Sequence, residues 1–305
     1  MRLGFFGTPE VAVPSLIALA GDDRFEVVVV VTNPDRPRGR SEREVAPPVK
    51  EAAIERGIEV WQPYKPREIE DSLADLTLDA CAVVAYGSIL PSSVLDAGGS
   101  GFVNLHFSLL PRWRGAAPVQ HALRAGDDVT GLTTFVLDEG MDTGPILRQE
   151  RTDIGPHETA GELLDRLAAE GASLLADSLH DWLTGGLEPT PQSDEGATIA
   201  PRIYPDDCVI DWTSDAATID RLVRASNPAP GAHTTFDGRR LKVWRAMPVT
   251  GPDGAPGVVI DGAEDGPVVG TRGGALVLTE VQPEGKSRMS GRAFQNGYQP
   301  ASFGA

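Results

Sequence analysis

Short apolar runs bounded by Gly, Pro and Asp punctuate the first 150 residues, and between them apolar positions recur at helical spacing. The runs at 2–6, 26–32, 59–61, 79–85, 102–106 and 132–137 predict strands. The second holds five consecutive valines, as expected of a central parallel strand covered on both faces. Helical spacing predicts a helix reaching to about residue 20, with Val11, Leu16 and Leu19 on its apolar face and Thr8 as its cap ahead of Pro9. Further helices are predicted over 47–56, 66–75, 117–125 and 159–183. Strands and helices alternating in this way build an α/β domain with a Rossmann-like, doubly wound, mostly parallel sheet.

The pattern then changes. Residues 185–205 are rich in Gly, Pro, Thr and Ser, the composition of a linker. Beyond them β-prone runs recur at 233–236, 241–245, 257–260, 267–271 and 275–282, separated by turn pairs such as Asp237-Gly238 and Asp253-Gly254. Such runs fit a small C-terminal antiparallel β-barrel, OB-like in kind. The expected organisation is a first domain over 1–188, a linker over 189–206 and a C-terminal domain over 207–305.

Composition narrows the class. Hydrophobic residues make up 41% of the chain and charged residues 23%, as in soluble globular proteins. No run of 18 apolar residues occurs and the apolar start is too short for a signal peptide, so no membrane partner is expected. Cys81 and Cys208 lie far apart and give neither a metal spacing nor a disulfide framework. A reducing cytoplasm and no metal are the corresponding expectations. The net charge of −17 argues against a protein that coats nucleic acid, since phosphate contacts need Lys and Arg. That charge is uneven: residues 1–205 carry 17 Lys and Arg against 32 Asp and Glu, and residues 206–305 carry 10 against 12.

Candidate chemistry gathers around the strand at 102–106. Period-2 alternation points Asn104 and His106 to the same side at its carboxyl end, where open α/β sheets form their ligand crevice. Capping of local backbone is the commoner use of such a pair. As chemistry, Asn can donate to an oxyanion and His can move protons near neutral pH. Downstream, Gly140 and Gly144 bracket Asp142, which suggests a strained loop presenting a carboxylate, with a solvated turn aspartate as the alternative. Together the three groups suit acyl transfer to an amine: His106 carries protons, Asn104 donates to the developing oxyanion, and Asp142 orients the imidazole. No serine or cysteine nucleophile is needed. The apolar loop 86–91 either clamps a flat heterocycle or starts the next helix. Four arginines, Arg36, Arg38, Arg40 and Arg43, crowd a Pro- and Gly-punctuated loop that serves either solvent or phosphate. Gly4-Phe5-Phe6-Gly7 lacks the full dinucleotide fingerprint and supports a nicotinamide cofactor only weakly.

Several stretches carry a resemblance that covers nearly the whole chain: Phe6-Gly7-Thr8-Pro9, Pro34-Asp35-Arg36-Pro37, Val84-Ala85-Tyr86-Gly87, Asn104-Leu105-His106, the run from Ser108 to Pro118, Asp142-Thr143-Gly144 and Gln282-Pro283-Glu284-Gly285-Lys286. On these the sequence resembles the folate-dependent formyltransferases and, among them, the methionyl-tRNA formyltransferase family. The resemblance implies formyl transfer from 10-formyltetrahydrofolate to the amino group of methionyl initiator tRNA by a cytoplasmic monomer. It implies catalytic roles for Asn104, His106 and Asp142, and folate contacts from Ser88, Ile89, Leu90, Ser108, Leu109, Leu110, Pro111, Asp138, Gly140 and Gly144. It likewise implies tRNA contacts from Arg36, Arg38, Arg40 and Arg43, with Arg40 matching the residue that enters the acceptor stem, and an OB-like domain lying along the tRNA. Where many relatives continue that loop with more Lys and Arg, this chain has Ser41-Glu42-Arg43-Glu44, and the two glutamates weaken its attraction for a polyanion. The closest rival is a sugar-nucleotide N-formyltransferase, which shares Asn-x-His and Asp but has no use for a basic loop. An RNA-binding module on an inactive folate-binding domain is the rival from another class.

Overall fold

In the computed structural model, which describes residues 1–37, 44–249 and 254–304, the first apolar runs become one sheet. Its strands are β1 (Arg2–Gly7), β2 (Glu26–Val31), β5 (Glu59–Trp61), β6 (Ala80–Val84), β7 (Phe102–His106), β8 (Val129–Val136) and β9 (Ile146–Asp153), in the order β5-β2-β1-β6-β7-β8-β9. The first five are parallel, and β8 and β9 run antiparallel on the β7 edge. The order reverses between β2 and β6, on either side of β1, and such a switch point opens a crevice at the carboxyl ends of the strands. Helices α1 (Val13–Ala20), α2 (Pro48–Glu55), α3 (Glu70–Asp75) and α4 (Ser92–Asp96) connect the parallel strands. A ribbon of two-residue strands, β3 (Arg36–Pro37) and β4 (Glu44–Val45), follows β2. Then come α5 (Pro118–Ala125) and α6 (Ala160–Leu183).

The chain divides into two compact units, the first comprising Met1–Pro118, Val129–Asp153 and Leu164–Ala200. Within it, alternation decides what each face of the sheet does. On one face Phe6, Val31, Cys81, Val83 and Phe102 pack with Leu73 and Val94 of α3 and α4. Asn104 and His106 follow Phe102 at intervals of two and continue that face. On the other face Leu105 and Leu132 meet α6 where Gly171 lacks a side chain; a Cβ there would lie 2.7 Å from Leu105. The Thr134 and Ser178 hydroxyls pair at 2.8 Å on the same face. The stretch after α6 lies along this unit through backbone bonds: Thr190 pairs with Ile146, and Ala200 N–H donates to the Arg114 carbonyl at 2.7 Å. Linker-like composition here accompanies a chain held by its backbone, because the bonds depend little on side-chain type.

The second unit comprises Val119–Asp128, Ile154–Leu163 and Pro201–Ala305. Its antiparallel sheet has the order β10-β11-β14-β13-β12, built from β10 (Ala232–Phe236), β11 (Arg239–Val249), β12 (Val259–Ala263), β13 (Gly266–Thr271) and β14 (Gly274–Pro283), with β15 (Met289–Ser290) on β14. The sheet curls as the OB-like expectation required. The Asp237-Gly238 turn joins β10 to β11 with φ of 49° and 68°, the twist-compatible hairpin geometry read from the sequence. Asp253 of the second expected turn lies outside the described residues. Two helices escaped the strand-dominated reading, α7 (Ala216–Ala225) and α8 (Gly291–Tyr298). Both carry side-chain caps, Asp215 accepting from Thr218 N–H and Ser290 from Ala293 N–H. Phe294 of α8 is fully buried among Phe236, Phe303 and Tyr298, with ring centroids 5.2, 6.3 and 4.9 Å away. Phe294→Ala is expected to destabilise the fold by about 3–5 kcal/mol, read from the denaturant midpoint, whereas a loss below about 1 kcal/mol would place the ring outside the core.

Candidate active site

His106 closes β7 and is 5% exposed, with Phe135 of β8 standing edge-on to its ring at 6.3 Å. The chain beyond it doubles back through a tightly bonded turn. The Ser108 hydroxyl donates to the Arg112 carbonyl at 2.7 Å, the Thr133 hydroxyl donates to the Ser108 carbonyl, and the Gln149 amide donates to the Leu110 carbonyl. Trp113 adopts φ of 63°, a left-handed conformation that is costly for a bulky residue, and its N–H is held by the Thr198 hydroxyl at 2.9 Å. In that position its carbonyl lies 2.9 Å from His106 Nε2. A carbonyl only accepts, so Nε2 carries the proton, and in the neutral ring Nδ1 is the basic nitrogen.

Nδ1 faces Asp142, whose Oδ2 lies 3.8 Å away. Asp142 occupies φ of 56°, and the same oxygen accepts the Gly115 N–H at 2.7 Å. Gly115 itself has φ of 125°, and a Cβ there would lie 2.6 Å from the Ala200 carbonyl oxygen, so only glycine offers its N–H in this place. Burial pushes the His106 imidazole below its usual range, against the opposing pull of the Asp142 charge and the Trp113 carbonyl. The resting ring is therefore neutral at physiological pH, with a carboxylate placed to stabilise its protonated form. Asn104 is half-buried on the same face, and no hydrogen bond to its side-chain amide occurs among the described residues.

Around this centre lie the other residues expected from the sequence. Ile89 is 90% exposed, Leu90 is buried, and the Ser88 hydroxyl donates to Asn33 Oδ1 at 3.2 Å. Ser108 and Leu110 are buried within the turn, while Leu109 and Pro111 are half-buried. Asp138 closes its own loop, accepting from Gly140 N–H at 3.0 Å and the Thr143 hydroxyl at 2.8 Å. Gly144 admits no side chain, since a Cβ would lie 1.8 Å from the Val136 carbonyl oxygen. Thr8 does not cap a helix. Its hydroxyl donates to the Tyr86 carbonyl at 2.9 Å and accepts from Asn33 Nδ2, stitching β1, β2 and β6 together at the switch point. Asn33 in turn leads to Gln62 and Asp35, and the Lys50 ammonium beside Asp35 holds its carboxyl below the usual carboxylate range. This anchors the base of the β3–β4 ribbon, on which Arg36 is exposed. Arg38, Arg40 and Arg43 lie outside the described residues.

Two groups were missed in the sequence. Gln192 and Thr198, both in the stretch read as linker, bond the Asp142 loop and Trp113 respectively. Arg114, a marker within the Arg-Trp-Arg run, is 7% exposed and bonds Gln192 rather than facing solvent. Asn33 had a local signal, a polar residue ending a valine run at a carboxyl edge.

Among the described residues no three His, Cys, Asp or Glu side chains gather as metal ligands, and no helix is long and apolar enough to cross a membrane.

The chain is similar to known proteins over nearly its whole length. The family model for formyl transferase matches residues 1–179, and that for the formyl transferase C-terminal domain matches residues 202–299. The chain is 50% identical over 300 residues to the methionyl-tRNA formyltransferase of Streptomyces griseus subsp. griseus, covering 97% of this chain and 96% of that one. The methionyl-tRNA formyltransferase of Streptomyces coelicolor is likewise 50% identical over 300 residues, with the same coverage. In fold, the chain is similar to the crystal structure of the N-formyltransferase from Helicobacter canadensis in complex with folinic acid and dTDP-3-aminofucose. The TM-score is 0.68 at 18% identity, covering 93% of this chain and 99% of that one. This chain belongs to the formyl transferase family.

Proposed function

We infer that this chain transfers the formyl group of 10-formyltetrahydrofolate to the free amino group of methionyl initiator tRNA. The observation that carries the reading is His106 Nδ1, basic and 3.8 Å from Asp142 beside an unengaged Asn104 amide, in a chain 50% identical over its length to methionyl-tRNA formyltransferases. The family uses folate-derived formyl donors.

Each group then has one task. The amine of the aminoacyl end bonds to the formyl carbon, and the carbonyl electron pair moves onto the formyl oxygen. Asn104 donates its amide N–H to that oxygen, a bond that strengthens as charge gathers there. His106 Nδ1 takes the proton that the attacking nitrogen sheds, and Asp142 stabilises the resulting imidazolium. His106 then returns the proton to the departing nitrogen of the donor as the carbon–nitrogen bond breaks and the carbonyl reforms. One proton enters and leaves the imidazole in each turnover.

The loops at 86–91 and 138–144 and the turn at 108–111 form the donor's surroundings. Ser88, Ile89, Leu90, Ser108, Leu109, Leu110, Pro111, Asp138, Gly140 and Gly144 are the contact residues in this reading. Exposed Ile89 offers apolar cover for a flat ring. Ser108 and Asp138 act through backbone and shape, because their side chains already bond within the protein. Arg36, Arg38, Arg40 and Arg43 meet the acceptor end of the tRNA, and the curled sheet beyond residue 206 lies along its body. The working unit is a cytoplasmic monomer.

Labelled formyl from 10-formyltetrahydrofolate is expected on methionyl initiator tRNA in preference to methionyl elongator tRNA, with no transfer to dTDP-linked amino sugars. Because arginines carry the tRNA contact, affinity should fall as salt is raised. Formylation of the amino sugar alone would overturn the substrate assignment while leaving the chemistry in place.

A further inference from the structure

We propose that Gln192 is a positioning residue for formyl transfer, its carboxamide clamping the loop at 142–144 so that the Asp142 carboxylate stays beside His106 Nδ1. The proposal rests on the reading of His106 and Asp142 given above.

All four hydrogen-bonding positions of the Gln192 side chain are engaged. Its Nε2 donates to the Asp142 carbonyl at 2.9 Å and to the Gly144 carbonyl at 2.7 Å. Its Oε1 accepts from Arg114 Nε at 3.2 Å and from a terminal guanidinium nitrogen of Arg114 at 2.9 Å. Carbonyls only accept and a guanidinium only donates, so the partners fix which end of the amide points where. Arg114 is itself held: it is 7% exposed, its backbone N–H donates to the Thr198 carbonyl at 2.9 Å, and its carbonyl accepts from Ala200 N–H. Its contact with Asp194 adds little, since that side chain is 98% exposed.

The clamped loop is one that needs holding. Asp142 sits at φ of 56°, a conformation that an L-residue leaves unless its surroundings determine it. The Gly115 N–H fixes only one carboxylate oxygen. Gln192 fixes the backbone on which that carboxylate is mounted, one carbonyl at Asp142 and one two residues on. The same stretch reaches the other side of the site through Thr198, which holds Trp113 and hence the proton on His106 Nε2. Among the described residues the charged group facing His106 is Asp142; Thr133 and Phe135 on β8 and the Trp113 carbonyl bring no ionisable charge to the ring.

The test is single-turnover formyl transfer as a function of pH for the full chain, Gln192→Ala, Gln192→Glu, Asp142→Asn and the Asp142→Asn/Gln192→Ala double variant, with KM for methionyl-tRNA measured alongside. Displacement of a reacting group by about 1 Å costs on the order of 10²-fold, and Gln192→Ala should approach that loss in rate with KM unchanged. Its acid limb should move to lower pH, because a carboxylate that has swung away no longer raises the imidazole. Gln192→Glu keeps the pairing with Arg114 but replaces both donors, and should show the same shift even where the alanine variant folds poorly. In the Asp142→Asn background Gln192→Ala should have no further effect, since both act through one carboxylate. A wild-type rate and acid limb in Gln192→Glu, or losses that simply add in the double variant, would overturn the positioning role. A wild-type rate in Asp142→Asn would instead overturn the underlying assignment of the site.

Discussion

Replacing His106 by alanine is expected to slow single-turnover formyl transfer by about 10²–10⁴-fold, the range that a positioned proton carrier contributes. The expectation follows from the direction of each ring nitrogen. Nε2 is tied to the Trp113 carbonyl, which leaves Nδ1 as the nitrogen that can take a proton. A charged resting ring would be useless as a base, and burial among Phe135 and the turn residues keeps it neutral by driving its affinity for protons below the usual 6.5. The wild-type rate should therefore hold through neutral pH and fall only as pH drops below that value, when the ring protonates and Nδ1 is blocked. In His106→Ala this acid limb should vanish along with most of the rate, while binding of methionyl-tRNA persists. Rapid-quench measurement from pH 5 to 8 reads both. Retention of near-normal turnover, or of the same acid limb without the imidazole, would remove His106 from the chemistry.

That much of the site could be read from sequence because its parts obey local rules. Asn104 and His106 are two apart on a strand, and alternation alone places them on one face. The valine run and the apolar runs on either side foretold the parallel sheet and hence the crevice. Asp142 was legible through its flanking glycines, which mark backbone that a side chain cannot follow. What escaped was everything that acts through the backbone of another segment. The Trp113 carbonyl fixes the tautomer of His106, yet any residue has a carbonyl, so no residue type announces it. Gln192 lies 50 residues from its partner Asp142, in a stretch whose Gly, Pro and Ser composition is also that of a free linker. Thr8 looked like a helix cap because Thr-Pro-Glu is a capping sequence, but the crevice gave its hydroxyl a better acceptor in Tyr86. In the second unit α7 and α8 are short helices of ten and eight residues that fall between and beyond the predicted β runs, too short for helical spacing to stand out there.

Asn104→Ala is expected to lower kcat by about 10²–10³-fold with little change in KM, the signature of a lost donor to a developing oxyanion. The physical reason lies in what surrounds the amide. It is half-buried on the same face as His106, and its hydrogen-bonding groups are not engaged by the described protein. An amide that merely capped local backbone would show a bond to that backbone, and its removal would appear as lost stability. Here truncation should leave the fold intact and weaken only the state in which the formyl oxygen carries charge. Asn104→Asp sharpens the test, since it nearly preserves volume while replacing donors by a carboxylate. Repulsion of the developing negative charge should make it at least as slow as alanine, and the added anion should raise the proton affinity of His106, moving the acid limb toward neutral pH. Rates of Asn104→Asp equal to wild type, with an unmoved limb, would mean that the formyl oxygen finds its donor elsewhere.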